Sequence, residues 1–215
     1  ESHSIVVKNE SDTFFFNLNK SENLNKEYLD KLFDNKHLIN EFYSPVSLDE
    51  LPFPDWGSYV EIYPLRNNFF SLNEKIAIPL LGTRGCPYSC FNYCTYPLQQ
   101  GRKVRARSVE NIIDEIKYWQ KTLGTNKFVF RDPVFSIDRK HTIHFCKEVI
   151  KQKLNITFMV ETHLNNLDDE MINLLATAGL ELVYVGIESA NHVVLKDMKR
   201  FTIEHDKQYK IIKKC

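Results

Sequence analysis

The chain has 215 residues, its 28 basic and 28 acidic side chains cancel to a formal charge of zero, and 43% of its residues are hydrophobic. This length can bury a sizeable core, and the charge balance offers no basic field to nucleic acid or to an anionic membrane surface. The sequence shows neither an apolar run of about 18 residues nor a secretory signal, which favours a cytoplasmic protein without a membrane segment.

The first 74 residues are irregular. Apolar triplets at 5–7 and 14–16 and a possible short helix at 26–33 precede the segment LPFPDW at 51–56, whose prolines exclude a continuous helix. We interpret 1–74 as a linker or tail of an upstream domain that packs its aromatic residues, with a flexible tail as the alternative. Glu1 is not a start methionine and 209–215 is an unterminated amphipathic stretch, so we expect a piece of a longer protein.

From residue 75 onward, strand-like and helix-like segments alternate. Buried strands are predicted at 76–81, 127–130, 156–160 and 182–187, and helices at 108–123, 139–152, 168–178 and 192–198. Strands that are each followed by a helix predict parallel neighbours. The pattern alone suits an open doubly wound sheet or a barrel, and both place the chemistry at the carboxyl ends of the strands.

A cysteine-rich loop, CPYSCFNYC at 86–94, follows the first of these strands. Three thiolates on one short loop indicate an iron or zinc site, and a [4Fe–4S] cluster held by three cysteines keeps one iron open. Zinc needs four closed ligands, and the next candidate, His141, is far along the chain. Cys146 and Cys215 stand alone, so a disulfide framework is disfavoured; a structural zinc site and cysteines that merely pack remain alternatives.

Six stretches occur in the order found in one enzyme family: LPFPD at 51–55, GTRGCPYSC at 82–90, RARSVE at 105–110, FRDPVF at 130–135, ETHL at 161–164, and AGL followed by VGIES at 178–189. Together they resemble the cobalamin-binding branch of the radical S-adenosylmethionine (radical SAM) enzymes. The resemblance implies an α/β fold, a partial (β/α)6 TIM-like barrel. Residues 75–215 hold its first four or so strand–helix units, after a linker at 1–74 from a cobalamin-binding domain that this chain lacks.

The resemblance also implies an activity. The chain is expected to bind a [4Fe–4S] cluster and S-adenosylmethionine and to generate a 5′-deoxyadenosyl radical. In the full-length protein this serves a cobalamin-dependent methyl transfer or rearrangement of a small-molecule substrate, with an electron donor such as flavodoxin or ferredoxin. A methylthio-group inserting relative would need a second cluster site and a tRNA-binding element, and neither is visible in the sequence.

One departure from the family pattern concerns the cysteine spacing, which is C-x3-C-x3-C where the family has C-x3-C-x2-C. Tyr93 still precedes Cys94, as the family's aromatic residue does. An irregular loop can absorb one extra residue as a local bulge because no ladder of hydrogen bonds fixes its register. The alternative function is a non-catalytic zinc or degenerate metal-binding module.

The resemblance assigns roles to seven residues. Cys86, Cys90 and Cys94 ligate iron, and Tyr93 lies beside the adenine. Asp132 receives the methionine amino group, or is a turn-forming aspartate before a proline. Glu188 and Ser189 bind the ribose hydroxyls or the methionine end, and for Glu188 an ordinary salt bridge is the alternative.

Other polar residues receive weaker expectations from the sequence. Glu161 and His163 close the third strand and could face the same end of the sheet as the cysteine loop. For His163 a structural role is favoured. Arg84 and Arg107 support either the cofactor carboxylate or only the loop. His141 and His144 are expected on an outer helix in solvated or packed roles. Lys196, Lys199 and Arg200 are expected on a solvated face.

Overall fold

The computed structural model describes residues 6–7, 38–39, 47–62, 71–72, 75–88, 90, 93–201 and 203–215. Two short strands, β1 (Val6–Val7) and β2 (Leu38–Ile39), pair in parallel, and helix α1 (Trp56–Ile62) follows the proline segment. No helix runs through the prolines of that segment, as predicted. The triplet at 14–16 and the helix at 26–33 lie outside the described residues.

The main sheet has five strands in the described residues: β3 (Ser71–Leu72), β4 (Lys75–Leu80), β7 (Lys127–Phe130), β8 (Thr157–Thr162) and β9 (Leu180–Val185). Strand β3 is antiparallel to β4, whereas β4, β7, β8 and β9 are parallel neighbours in sequence order. A separate ribbon pairs β5 (Thr83–Arg84) with β6 (Arg105–Ala106). The four predicted parallel strands are therefore confirmed.

The helices after the proline segment also include α2 (Tyr96–Gln100), α3 (Val109–Leu123), α4 (Arg139–Lys151), α5 (Asp169–Thr177), α6 (His192–Asp197) and α7 (His205–Lys214). The side chains of Ser108, Asp138, Asp168 and Asn191 accept hydrogen bonds at the starts of α3 to α6, as N-caps do. These local signals explain why the predicted bounds lie within two residues of the observed ones. In the described part of the chain, no helix combines the length and apolar character needed to cross a membrane.

The core lies on one face of the parallel sheet. Alternate residues of β4, β7 and β8, such as Ile78, Phe128 and Phe158, pack with apolar residues of α3, α4 and α5. A doubly wound sheet reverses its strand order and carries helices on both faces, whereas here the order is sequential and the crossover helices α3, α4 and α5 pack into one core. The arrangement is that of the first part of a barrel, as predicted.

Candidate cluster and cofactor site

A cavity of about 330 Å³ lies at the carboxyl ends of the four parallel strands. Each strand contributes to it: the cysteine loop follows β4, Pro133 and Val134 follow β7, Glu161 ends β8, and Gly186 follows β9. The remaining lining residues come from the same strand ends and from the segment after α6; they are Cys86, Tyr88, Cys90, Tyr93, Cys94, Thr95, Tyr96, Thr162, His163, Glu188 and Arg200. The sheet thus brings together residues that are up to 114 positions apart in the sequence.

The start of the cysteine loop depends on a glycine. Gly85 has a φ of 95°, and a Cβ at this position would collide with the carbonyl group of Lys103. The Gly85 N–H donates to the Gln100 side chain at 3.1 Å, and the Cys86 N–H donates to the Gly101 carbonyl at 3.1 Å. These contacts hold Cys86 against the end of α2. Ser89, Phe91 and Asn92 lie outside the described residues, so the expected bulge stays a prediction.

The three cysteines form no disulfide and are partly enclosed. Cys86 and Cys90 are buried, and Cys94 is half-buried. Burial raises the pKa of the Cys86 thiol, and the neighbouring Cys94 and Cys90 raise this pKa further. A metal bound here must therefore displace thiol protons, as metal binding to cysteine generally does.

Tyr93 lies beside the cysteines, and its side chain is 40% exposed. Burial is the largest cause that raises the pKa of Tyr93 to about 12, and a hydrogen bond with Cys90 adds to it. The phenol therefore stays protonated at neutral pH, so that its ring is an uncharged surface on the cavity wall.

The prediction that Arg200 lies on a solvated face is wrong. Its side chain is 13% exposed, and its guanidinium donates to Cys90 Sγ at 3.4 Å and to the Gly186 carbonyl at 2.7 Å. Sequence patterns place it in a lysine-rich stretch, and no local signal distinguishes it from Lys196 or Lys199. The proximity to Cys90 arises from the fold, which brings the end of α6 back to the cysteine loop.

His163 has a protein partner at each ring nitrogen, and the structural role favoured from the sequence stays a prediction. Its Nδ1 accepts a hydrogen bond from the Asn165 N–H at 3.1 Å, so Nε2 carries the proton and donates to the Phe201 carbonyl at 2.9 Å. Burial and the nearby Arg200 lower the pKa of His163. The imidazole is therefore neutral at pH 7 and ties the end of β8 to the segment after α6.

Two carboxylates share the cavity. Burial raises the pKa of Glu161, and the negative charge of Glu188 raises it further. Glu188 has a φ of 65°, a conformation that is strained for a residue with a side chain, and its Oε1 lies 3.9 Å from the Arg200 guanidinium. A side chain at Gly186 would collide with Glu188, so this glycine makes room for the pair.

Asp132 does not line the cavity. It is 1% exposed, and its two carboxylate oxygens accept hydrogen bonds from the Gly82 N–H at 2.7 Å and from the Thr83 hydroxyl at 2.8 Å. These bonds join the end of β7 to the segment that leads into the cysteine loop. The observed partners differ from the turn contact considered from the sequence, and the predicted contact with a cofactor amino group stays a prediction.

The remaining candidates also lie outside the cavity wall. The Ser189 hydroxyl accepts from the Asn191 N–H at 3.0 Å in the turn before α6. Arg107 is buried, forms an ion pair with Glu115 at 2.5 Å and donates to the Leu81 carbonyl at 3.2 Å, so it supports the loop. Arg84 belongs to the β5–β6 ribbon.

His141 and His144 lie on the outer helix α4, as expected. His141 contacts the Arg107 carbonyl at 2.8 Å, and His144 lies 3.7 Å from Glu110. Neither histidine lines the cavity, so neither serves as a fourth ligand near the cysteines.

The donor set fits a cluster with one open iron. Three cysteines line the cavity, whereas Cys146 is enclosed in the core and Cys215 ends the chain beyond α7. Within the described ranges, no three Cys, His, Asp or Glu side chains are grouped tightly enough to hold one metal ion. The three thiols on one loop match the three cysteine ligands of a [4Fe–4S] cluster that keeps one iron open.

The comparisons identify the family. The family model of the radical SAM superfamily matches residues 80–215, and the chain therefore belongs to this superfamily. Membership implies a [4Fe–4S] cluster and S-adenosylmethionine as cofactors, and the predicted membership in the radical SAM superfamily is confirmed.

The curated relatives of this chain include a cyclase and a methyltransferase. An anaerobic magnesium-protoporphyrin IX monomethyl ester cyclase from Rubrivivax gelatinosus is 32% identical over 72% of this chain and 27% of its own length. A bacteriochlorophyllide d C-12(1)-methyltransferase from Chlorobaculum tepidum is 32% identical over 61% of this chain and 30% of its own length. The chain thus spans less than a third of either relative.

Solved structures support the fold. The cobalamin-dependent S-adenosylmethionine radical enzyme OxsB with aqua-cobalamin bound matches with a TM-score of 0.63 and 18% identity, covering 81% of this chain and 26% of that one. The radical S-adenosylmethionine methyltransferase TsrM from Kitasatospora setae, with cobalamin and a [4Fe–4S] cluster bound, matches with a TM-score of 0.60 and 19% identity. The match covers 66% of this chain and 29% of the TsrM chain. At these identities the likeness concerns the fold.

Proposed function

We propose that this chain is the cluster-binding and S-adenosylmethionine-binding part of a radical enzyme. In its full-length form, this enzyme performs a cobalamin-dependent methyl transfer or rearrangement on a small molecule. The observation that carries the proposal is the placement of three thiols from one loop on a cavity to which all four parallel strands contribute. When bound, the cluster supplies the electron that cleaves S-adenosylmethionine to give a 5′-deoxyadenosyl radical.

The chain's own residues have separate tasks in this proposal. Cys86, Cys90 and Cys94 hold the irons, and the neutral Tyr93 ring offers a surface for the adenine. Glu188 lies on the same wall and is placed to bind hydroxyl or amino groups of the cofactor. The cavity supports these assignments for Tyr93 and Glu188, whereas Asp132 and Ser189 remain predictions because their side chains have protein partners away from it.

The cobalamin-dependent part of the proposal rests on relatives. One relative is named as a methyltransferase of bacteriochlorophyllide d and another as a cyclase of a porphyrin ester, so the relatives themselves do not select one reaction. We place cobalamin in an upstream domain joined through the linker at 1–74, with the barrel beginning near residue 75. A single-electron donor such as flavodoxin or ferredoxin and a cytoplasmic location complete the proposal.

Anaerobic iron–sulfur reconstitution tests the proposal. We expect about four irons and four sulfides per chain, and an electron paramagnetic resonance (EPR) signal of the reduced sample that changes when S-adenosylmethionine is added. Reductant-dependent release of 5′-deoxyadenosine provides a second readout. Cys86→Ser and Cys94→Ser should abolish the cluster, whereas Cys215→Ser, at an exposed cysteine beyond the cavity, should leave it unchanged.

The alternative, a non-catalytic zinc or degenerate metal-binding module, is an outcome of the same experiment. Folded protein that takes up one zinc per chain and assembles no cluster would contradict the proposal. The longer cysteine spacing would then be the reason that the site binds zinc and no cluster. Equilibrium dialysis of the full-length protein against hydroxocobalamin tests the cobalamin part separately, since failure there leaves the cluster result standing.

A further inference from the structure

The end of helix α6 fixes the position of Arg200. The Arg200 N–H donates to the Leu195 carbonyl at 2.8 Å and the Lys199 N–H donates to the Lys196 carbonyl at 3.0 Å, which is the hydrogen-bond pattern of a Schellman motif. Lys199 occupies the left-handed position of this motif with a φ of 50°. The helix therefore ends in a tight reversal that directs the following residue towards the cavity.

The segment after Arg200 is held from two other elements. His163 on the β8 side donates to the Phe201 carbonyl at 2.9 Å. The Tyr88 ring, in the cysteine loop, is parallel to the Phe201 ring within 4°, with centroids 6.5 Å apart. Because backbone and ring contacts fix both sides of Arg200, its guanidinium reaches the cavity in a preorganised position.

The guanidinium makes three polar contacts in the described part of the chain. It donates to Cys90 Sγ at 3.4 Å and to the Gly186 carbonyl at 2.7 Å, and it lies 3.9 Å from Glu188 Oε1. Since the side chain is 13% exposed, water screens its charge weakly. A fixed cation thus touches one of the three proposed cluster sulfurs, and a carboxylate lies 3.9 Å from the same guanidinium.

We propose that Arg200 is a positioning residue that raises the reduction potential of the cluster. The Glu188 carboxylate acts in the opposite direction and lowers this potential. This inference rests on the proposed function because it requires a cluster on the three cysteines. On reduction, a one-electron reductant gives one electron to the cluster, which then carries one more negative charge. An N–H···S bond and a positive charge stabilise the more negative state, whereas the Glu188 carboxylate offsets part of that charge.

Redox titration of the reconstituted protein without S-adenosylmethionine tests the inference. The variants are Arg200→Gln, which removes the charge, Arg200→Lys, which keeps it, and Glu188→Gln, which removes the opposing charge. Lys196→Gln is the matched control, since it removes one positive charge from an exposed position on α6. EPR of samples poised with dithionite and mediator dyes gives the midpoint potential of each.

At a fixed potential we expect the reduced-to-oxidised ratio of the cluster to fall about tenfold in Arg200→Gln, a shift of about 59 mV to more negative potential for a one-electron couple. Arg200→Lys should shift the potential less, Glu188→Gln should shift it in the positive direction, and Lys196→Gln should match the unmodified protein. Iron and sulfide analysis verifies that each sample carries the same cluster content.

An unchanged potential in Arg200→Gln with full cluster content would overturn the inference. If Arg200→Gln does not retain its cluster, the test rests on Glu188→Gln, because this variant leaves Arg200 in place. An unshifted or lowered midpoint potential in Glu188→Gln would then overturn the inference. Failure of the unmodified protein and of Lys196→Gln to assemble a cluster would instead contradict the proposed function.

Discussion

Asp132 is a fully buried carboxyl group whose hydrogen bonds join the ends of two strands beneath the cysteine loop. Burial raises the pKa of Asp132 to about 7, although the hydrogen bonds from Gly82 and Thr83 act in the opposite direction. In the unfolded chain this carboxyl group has its ordinary pKa of 3.8. The folded state therefore binds the proton more tightly than the unfolded state over the intervening pH range.

This difference predicts a pH-dependent stability. As pH rises from about 4 to about 7, Asp132 loses its proton in the unfolded state but keeps it in the folded state. The contribution of Asp132 to the free energy of unfolding therefore falls by about 4 kcal/mol over this range and is constant above it. Asp132→Asn keeps a neutral hydrogen-bonding group and should remove this fall. Urea unfolding at a series of pH values measures the difference between the two proteins.

The control for this prediction is Asp169→Asn, at an exposed position on α5. This variant should keep the pH profile of the unmodified protein between pH 4 and pH 7. Parallel profiles for Asp132→Asn and the unmodified protein across that range would show that Asp132 keeps an ordinary pKa in the folded state.

At the scale of single elements, helix ends determine where the loops point. Helix α4 ends as α6 does, with the Lys153 N–H donating to the Ile150 carbonyl and the Leu154 N–H donating to the Val149 carbonyl, each at 3.0 Å. Lys153 has a φ of 51°, which is unfavourable for a residue with a Cβ. Lysine thus stands where glycine is the most favourable residue.

Replacing Lys153 with glycine should stabilise the protein. Removing the left-handed strain gains about 1–2 kcal/mol, and the greater freedom of glycine in the unfolded chain offsets part of it, so we expect a net gain of about 0.5–1 kcal/mol. Thermal and urea unfolding measure the change.

Lys147→Gly is the matched variant, since Lys147 is exposed in the interior of α4. Glycine at this position should lower the free energy of unfolding by about 1 kcal/mol. A loss of stability in both variants would mean that the left-handed position carries no strain.

At the scale of the whole molecule, part of the linker lies against the barrel. The Phe53 ring is 6.0 Å from the Tyr118 ring, and the Arg107 guanidinium lies 5.6 Å from the Phe53 ring centre. The Asp49 carboxylate accepts a hydrogen bond from the Ser108 N–H at 2.8 Å, at the start of α3. Residues 47–62 therefore contribute to the packing of the barrel, although the domain boundary near residue 75 stays a prediction.

Phe53→Ala should loosen this contact. Phe53 is half-buried, so we expect the free energy of unfolding to fall by about 1–2 kcal/mol and the amides of the first turn of α3 to exchange hydrogen faster. Urea unfolding and hydrogen exchange measure the two effects. Leu98→Ala, at a side chain that is 76% exposed, serves as the control, and equal behaviour of the two variants would show that the linker is not docked.

The sequence by itself determined the four parallel strands, the four helices that follow them and the cysteine loop, because periodicity and motif spacing are local properties. It also determined the family through short motifs in a fixed order. It could not show that Arg200 touches Cys90, that Asp132 supports Gly82 and Thr83, or that His163 holds Phe201. These contacts join residues 38 to 110 positions apart, and only the register of the parallel strands and the path of the crossovers bring them together.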